Sequence, residues 1–179
     1  VDRDNIPNVD IGKSSVIYDL DDFTFGKYVI IDDFCYICLG KGMKIGNNVH
    51  ISAFSTITGS EYCTLDDFVT ISVGSHILTG SDDFVGWGFG NPTVPDKFRN
   101  IKKEPVVIEK FARVGANSVV LPGVTIGIGS TVGANSVVTK NLDPWGVYVG
   151  NERIKDRDEK GVLNKYHEYL EFMGKRKRK

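Results

Sequence analysis

Along most of this chain an apolar residue returns every sixth position. Ile108, Val114, Val120, Ile126, Val132 and Val138 stand six apart. Phe25, Ile31 and Ile37, then Ile45, Ile51 and Ile57, then Leu65, Ile71 and Ile77 keep that step within each triplet; between triplets it is eight, so equivalent positions recur every 20 residues. Ile11 and Ile17 look like an earlier turn of the same kind. A period of six fits neither the roughly 3.6 of an amphipathic helix nor the roughly 2 of a lone strand. It fits a triangular prism in which each hexapeptide supplies one short strand and one corner. Three hexapeptides close a coil, and inward side chains stack on their equivalents in the next coil. Gly12, Gly46, Gly115, Gly127 and Gly133 directly follow an inward residue. The pattern predicts them, with neighbouring Asn and Asp, at tight corners needing unusual backbone angles. The two extra residues of the longer coils are expected to bulge at one corner, near Lys41-Gly42 and Ser60-Glu61.

The repeat breaks once, between Ile77 and Ile108. The interruption, about 81–105, is rich in Gly, Pro and aromatics, including Trp87, Phe89 and Phe98. A long aperiodic connection inside a compact domain is commonly functional. It is read as an extended loop arm that leaves the prism and covers a site, on this chain or a neighbouring subunit. After the last repeat, Val162, Leu163, Tyr166, Tyr169, Leu170 and Phe172 have rough helical spacing, with Gly174 as a stop. This predicts a short C-terminal helix that caps the exposed rungs of an end coil. The organisation expected is an all-β repeat domain over 1–155 and a helical cap with a basic tail over 156–179. The run Lys175-Arg176-Lys177-Arg178-Lys179 reads as a solvated tail.

Composition adds mainly exclusions. The chain has 179 residues, 41% of them hydrophobic and 25% charged, with a net charge of −1. That is enough apolar material for one core and gives no reason to expect a nucleic-acid partner. No segment approaches the roughly 18 apolar residues of a membrane span, and the N-terminal stretch lacks the pattern of a signal peptide, so a cytoplasmic location is expected. Cys35-Tyr36-Ile37-Cys38 has CxxC spacing, but zinc wants four ligands and Cys63 makes no second pair. Buried structural thiols in a reducing compartment are the better reading, and no metal is expected.

The stretches Ala112-Arg113-Val114-Gly115-Ala116-Asn117-Ser118-Val119-Val120-Leu121-Pro122-Gly123-Val124-Thr125-Ile126-Gly127 and Thr131-Val132-Gly133-Ala134-Asn135-Ser136-Val137-Val138-Thr139-Lys140 resemble the hexapeptide-repeat acyltransferases. The likeness covers roughly residues 40–155. It is strongest to the galactoside and maltose acetyltransferases and the surface-polysaccharide sugar acetyltransferases. The resemblance implies a left-handed parallel β-helix, a homotrimer with sites between adjacent prisms, and acetyl-CoA as donor. It also implies that CoA meets the backbone of small residues at Ala116 and Ala134, and meets Thr139, Lys140 and Arg153 at its nucleotide end. Small side chains let a backbone approach the thin pantetheine arm, and cations suit phosphates. Gly150-Asn151-Glu152-Arg153 departs from the Gly-x-Pro-x-Arg of the family, which makes Arg153 the weaker assignment.

Acyl transfer to an alcohol or amine calls for a base, and imidazole is the side chain best matched to neutral pH. The galactoside acetyltransferases carry a catalytic histidine just before the arm; here that neighbourhood reads Thr79-Gly80-Ser81-Asp82-Asp83. Among His50, His76 and His167, the candidate is His50, outward-pointing beside inward Ile51. Asp82 or Asp83 would orient its ring or hold the acceptor. His76 is expected on a different face or position of the prism, and His167 on the surface of the terminal segment. Trp87 and Asn91 are candidate acceptor contacts. The missing histidine tilts the expected acceptor towards a nucleotide-linked deoxy-amino sugar for a surface polysaccharide, because an amine needs less base assistance than an alcohol. Sugar O-acetylation and a non-catalytic assembly subunit remain as alternatives. A γ-type carbonic anhydrase, which shares the prism, would need three histidines at one site.

Overall fold

The computed structural model describes residues 5–83 and 85–176. The six-residue steps become three parallel sheets that form the faces of a prism. The first face stacks Val9–Ile11, Val29–Ile31, His50–Ile51, Thr70–Ile71, Arg113–Val114, Thr131–Val132 and Gly146–Val149. The second stacks Val16–Ile17, Tyr36–Leu39, Thr56–Gly59, His76–Leu78, Val119–Val120 and Val137–Val138. The third stacks Phe23–Phe25, Met43–Ile45, Cys63–Leu65, Val106–Ile108 and Thr125–Ile126. Register is strict, Ile31 opposite Ile51 and Ile51 opposite Ile71. The inward ladders are therefore columns of like residues, with Ile31, Ile51, Ile71, Ile37, Ile57, Ile77, Ile45, Leu65 and Ile108 all removed from water. This is the left-handed parallel β-helix expected from the repeat.

The extra residues of the 20-residue coils project at the corner between the second and third faces. There Lys41 Nζ reaches Glu61 Oε2 of the next coil at 2.7 Å. One coil higher, the same corner opens into the arm. Gly80–Asp82 pairs antiparallel with Ile101–Lys103, so the arm leaves and re-enters as a two-stranded ribbon.

The glycines after the inward residues do a different job from the one expected. Gly12, Gly46, Gly115, Gly127 and Gly133 do not have positive φ. At Gly115 an added Cβ would lie 2.6 Å from the Ala134 nitrogen, so it is the next coil passing overhead that excludes a side chain. The left-handed residues come later in each corner, and several are aromatic: Tyr28, Phe34, Phe54, Phe68, Phe111 and Trp145. Left-handed backbone costs a non-glycine residue roughly 1–2 kcal/mol, which ring packing offsets. Phe34 and Phe54 stack at 5.1 Å with planes 5° apart. Phe68 and Phe111 lie 5.4 Å apart.

The second row of aromatics seats the C-terminal helix, α1 (Glu159–Arg176), which at 18 residues is long rather than short and runs past Gly174. It does not cap an end coil. It lies along the corner between the third and first faces, where Tyr166 packs on Phe68 and Phe111 and Tyr169 packs on Phe68. Asn48 Nδ2 donates to the Tyr169 hydroxyl and Lys110 Nζ to that of Tyr166, each at 3.0 Å. The apolar positions of the helix found a corner because the corner already presented rings. The C-terminal end of the first face is finished instead by Glu152–Asp156, folded back antiparallel on Gly146–Val149. The last three residues of the basic tail lie outside the described residues.

The cysteines are explained by stacking. Ser15, Ser55 and Ser75 occupy one corner position at 20-residue spacing, and each hydroxyl donates to a carbonyl of the next coil. Cys35 stands in that column, with its sulfur 3.3 Å from the Ser52 carbonyl. Cys63 belongs to an inward column with Met43 and Val106. Cys35 and Cys63 are buried as expected, whereas Cys38 is only half-buried, and no disulfide links the three.

Two outcomes are expected. Gly115→Ala should destabilise the protein by about 1–3 kcal/mol, read as a lower denaturant midpoint; an unchanged midpoint would contradict the overhead-coil account. Burial pushes the Cys63 thiol up to about 12 and also raises Cys35. A raised thiol pKa keeps sulfur protonated and unreactive at lower pH. At pH 8 a thiol reagent should therefore label one cysteine per native chain quickly, Cys38, and all three only after unfolding.

Candidate active site

His50 and Asp32 are brought together by coil stacking alone. His50 points outward from the first face, between Ile30 of the coil below and Thr70 of the coil above. Asp32 follows inward Ile31 in the lower coil, and its Oδ2 lies 3.0 Å from His50 Nε2. Both side chains are about two-fifths exposed, at 43% and 38%. The carboxylate facing His50 within the chain is thus Asp32, not Asp82 or Asp83. Its signal was present in the repeat: with a coil of 20 residues, position 32 lies beneath 52, diagonal to 50.

Asp82 and Asp83 are used by the arm itself. Arg99 donates to both oxygens of Asp82, Nε to Oδ1 at 3.2 Å and NH2 to Oδ2 at 3.1 Å, with the guanidinium largely enclosed. Asp83 accepts the Val85 N–H at 2.8 Å and the Asn100 amide at 2.6 Å. Hydrogen bonds from the Val85 and Gly86 N–H groups and from Asn100 hold its carboxyl below the usual range. Asn91 likewise folds its own turn, with Oδ1 accepting from the Thr93 N–H and hydroxyl. Trp87 is 68% exposed and Val85 96%, so the apolar surface of the arm has little cover within one chain.

His76 projects from the second face, 2.8 Å from the Thr56 hydroxyl, and His167 is exposed on α1. The three histidines thus stand on separate surfaces, as expected for His50 and His76. Among the described residues no three His, Cys, Asp or Glu side chains form a metal-binding group.

The positions that the resemblance gives to CoA gather around the C-terminal coils of the second face. Ala116 and Ala134 stack at its first corner, where the Asn135 N–H donates to the Ala116 carbonyl at 2.8 Å. Thr139 and Lys140 lie exposed at its other end. Asn151 Oδ1 accepts the Thr139 N–H, and its amide donates to the Thr139 hydroxyl, which fixes that turn. Arg153 is engaged within the chain: Asp156 takes two of its N–H groups at 3.1 and 2.7 Å and the Pro144 carbonyl a third. Hydrogen bonding to Asp156, then to Tyr148, raises its pKa.

A second cleft, unmarked by the repeat, lies between the first face and α1. It encloses about 750 Å³ and is lined by residues that include Thr70, Arg113, Arg157, Tyr166 and Tyr169. No sequence pattern pointed to it, because the helix that forms one wall was expected elsewhere.

The family model for the hexapeptide repeat of succinyl-transferase matches residues 105–140. The chain is 34% identical to the dTDP-4-amino-4,6-dideoxy-D-glucose acyltransferase of Escherichia coli over 156 residues, 86% of this chain and 81% of that one. It is 28% identical to the galactoside O-acetyltransferase of Escherichia coli K12 over 150 residues, 80% of this chain and 70% of that one. The prism, the repeat and this extent of likeness place the chain in the hexapeptide-repeat acyltransferase family, whose members are CoA-dependent enzymes. Among solved structures it is similar to AntD, an N-acyltransferase from Bacillus cereus, in complex with dTDP and 3-hydroxybutyryl-CoA. The two share 36% identity and a TM-score of 0.88, covering 93% of this chain and 89% of that one. A variant of AntD bound to dTDP-4-amino-4,6-dideoxyglucose and coenzyme A gives 34% identity, a TM-score of 0.85, and coverage of 92% and 88%.

Proposed function

We propose that this chain transfers an acyl group from a CoA thioester to the amino group of a nucleotide-linked deoxy-amino sugar, with a surface polysaccharide as the destination of the product. The observation that supports this most strongly is the likeness, over nearly the whole chain, to two enzymes whose names or bound ligands are dTDP-linked amino sugars. Acetyl is the donor group expected from the sequence, and the 3-hydroxybutyryl-CoA bound by AntD widens the acyl groups worth testing.

His50 and Asp32 supply the proton chemistry. With Nε2–H donated to Asp32, the imidazole keeps its lone pair on Nδ1, the nitrogen turned away from the carboxylate. A neutral amine attacks the thioester carbonyl, a C–N bond forms, the C–S bond breaks, and the surplus ammonium proton passes to Nδ1 and then to the departing thiolate. Asp32 holds the tautomer and stabilises the imidazolium, the role a carboxylate plays in a Ser-His-Asp arrangement. CoA would lie along the corner of Ala134 and Ala116, with Lys140 free to meet its phosphates. From the coil of Lys140 to that of His50 is three inter-coil steps, about 14 Å.

The assembly is a homotrimer. Phe34, Phe54, Ile30, Val73, Tyr36 and Val16 are exposed apolar side chains on the first and second faces and the corner between them, with Phe34 stacked on Phe54 and Val16 opposite Tyr36. A monomer rarely leaves such a group in water. The arm, with Val85, Trp87 and Phe89 bare, covers a site on the adjacent subunit.

Purified protein should release free CoA from acetyl-CoA with dTDP-linked amino sugars and not with plain galactosides. His50→Gln should lower kcat by a factor of at least roughly 10² with little change in KM. Asp32→Asn should lower kcat in the same direction by less. Unchanged kcat in His50→Gln would mean that the amine needs no base from this residue and would sink its assignment. Light scattering should give a mass of three times 19.8 kDa; a monomer would overturn the shared-site reading.

A further inference from the structure

The cleft between α1 and the first face has the composition of a site for a phosphorylated aromatic ligand. Arg113 projects from the first face, and Arg157 leans in from the segment before α1. Arg157 NH1 is fixed by the Phe111 and Gly129 carbonyls at 2.7 and 2.6 Å. Neither guanidinium has an ion-pair partner among the described residues, whereas the nearby Lys165 is neutralised by Glu168 at 2.7 Å. Asp158, the one carboxylate in the lining among the described residues, accepts the Gly161 N–H at 2.9 Å in the first turn of the helix. Burial, then the neighbouring Arg113 charge, pulls Arg157 below the usual arginine value. Two uncompensated arginines held this close are stabilised by an anion, and guanidinium meets phosphate in bidentate geometry. Phe68, Tyr166 and Tyr169 form the apolar part of the wall, an edge-to-face cluster with centroids about 5.4–5.5 Å from Phe68. The volume of about 750 Å³ falls within the roughly 300–1,000 Å³ of small-molecule sites.

Position ties this cleft to the reacting centre. His50, Thr70 and Arg113 are successive outward residues of one ladder, and Thr70 lines the cleft. Arg113 is therefore two inter-coil steps, about 10 Å, from His50. We propose that the cleft binds the nucleoside diphosphate of the acceptor, with its base against the Phe68, Tyr166 and Tyr169 rings and its phosphates on Arg113 and Arg157. The attached sugar then extends down the first face to His50. This rests on the acceptor class proposed above, and it separates the two substrates: the acceptor nucleotide on the first face and CoA on the second. The nucleotide end of CoA is itself a phosphorylated aromatic, so the test carries both ligands.

Calorimetric titration of the assembled protein with dTDP, and separately with CoA, should be compared for wild type, Arg113→Gln and Arg113→Lys. Arg113 is exposed on the prism, so neither substitution threatens the fold. The expected result is dTDP binding weakened roughly 10-fold or more by Arg113→Gln, partly restored in Arg113→Lys, with CoA affinity unchanged. The KM for the dTDP-linked acceptor should rise with it. Unaltered dTDP affinity and acceptor KM, or a fall in CoA affinity in place of dTDP, would overturn the assignment. Loss of dTDP binding in Arg113→Gln, in a protein that acylates no dTDP-linked amino sugar, would keep the cleft and remove the acceptor reading instead.

Discussion

Everything in this molecule depends on the parallel hydrogen-bonded ladder between coils. It fixes a spacing of about 4.8 Å and forces each residue to lie over its counterpart one coil away. A side chain is therefore judged less by its neighbours in sequence than by the residue 18 or 20 positions off. Isoleucine on isoleucine fills the core, serine on serine ties carbonyls, and Phe34 on Phe54 covers a strained corner. Because the ladder tolerates no slip, a functional pair can be built across coils as securely as within a strand. His50 and Asp32 are held together in this way.

The same constraint governs which features the sequence discloses. Inward columns repeat with the coil, so Ile31, Ile51 and Ile71 could be read directly, as could the bulge at Lys41 and Glu61. Counting coils put His50 and His76 on different faces or at different positions of the prism, and they stand on different faces. Asp32 was legible in principle by the same counting, whereas Asp82 and Asp83 stand at the start of the arm, where the resemblance expects a histidine. Those aspartates turned out to be tied by Arg99 and Asn100, contacts formed within an aperiodic segment where counting gives no guidance. The glycines were correctly expected at corners for the wrong physical reason: their φ values are ordinary, and the pressure comes from the coil above.

The helix was the larger miss. Its spacing showed that it had an apolar face but not where that face would dock. The deciding contacts are Tyr166 and Tyr169 on Phe68 and Phe111, rings carried by corner residues in a backbone conformation that aromatic side chains rarely adopt. The cleft with Arg113 and Arg157 exists only because the helix lies there, so neither could be inferred without the other.

The corner between the second and third faces has a consequence of its own. Its turn residues sit outside all three ladders, so chain can be added there without shifting the register of any rung. Lys41 and Glu61 are small additions of this kind, and the segment after Gly80 is a large one. One arm can therefore be exchanged for another at this corner while the ladders of the core stay unchanged. What covers the prism at this corner can then change in length and sequence without a new folding problem to solve.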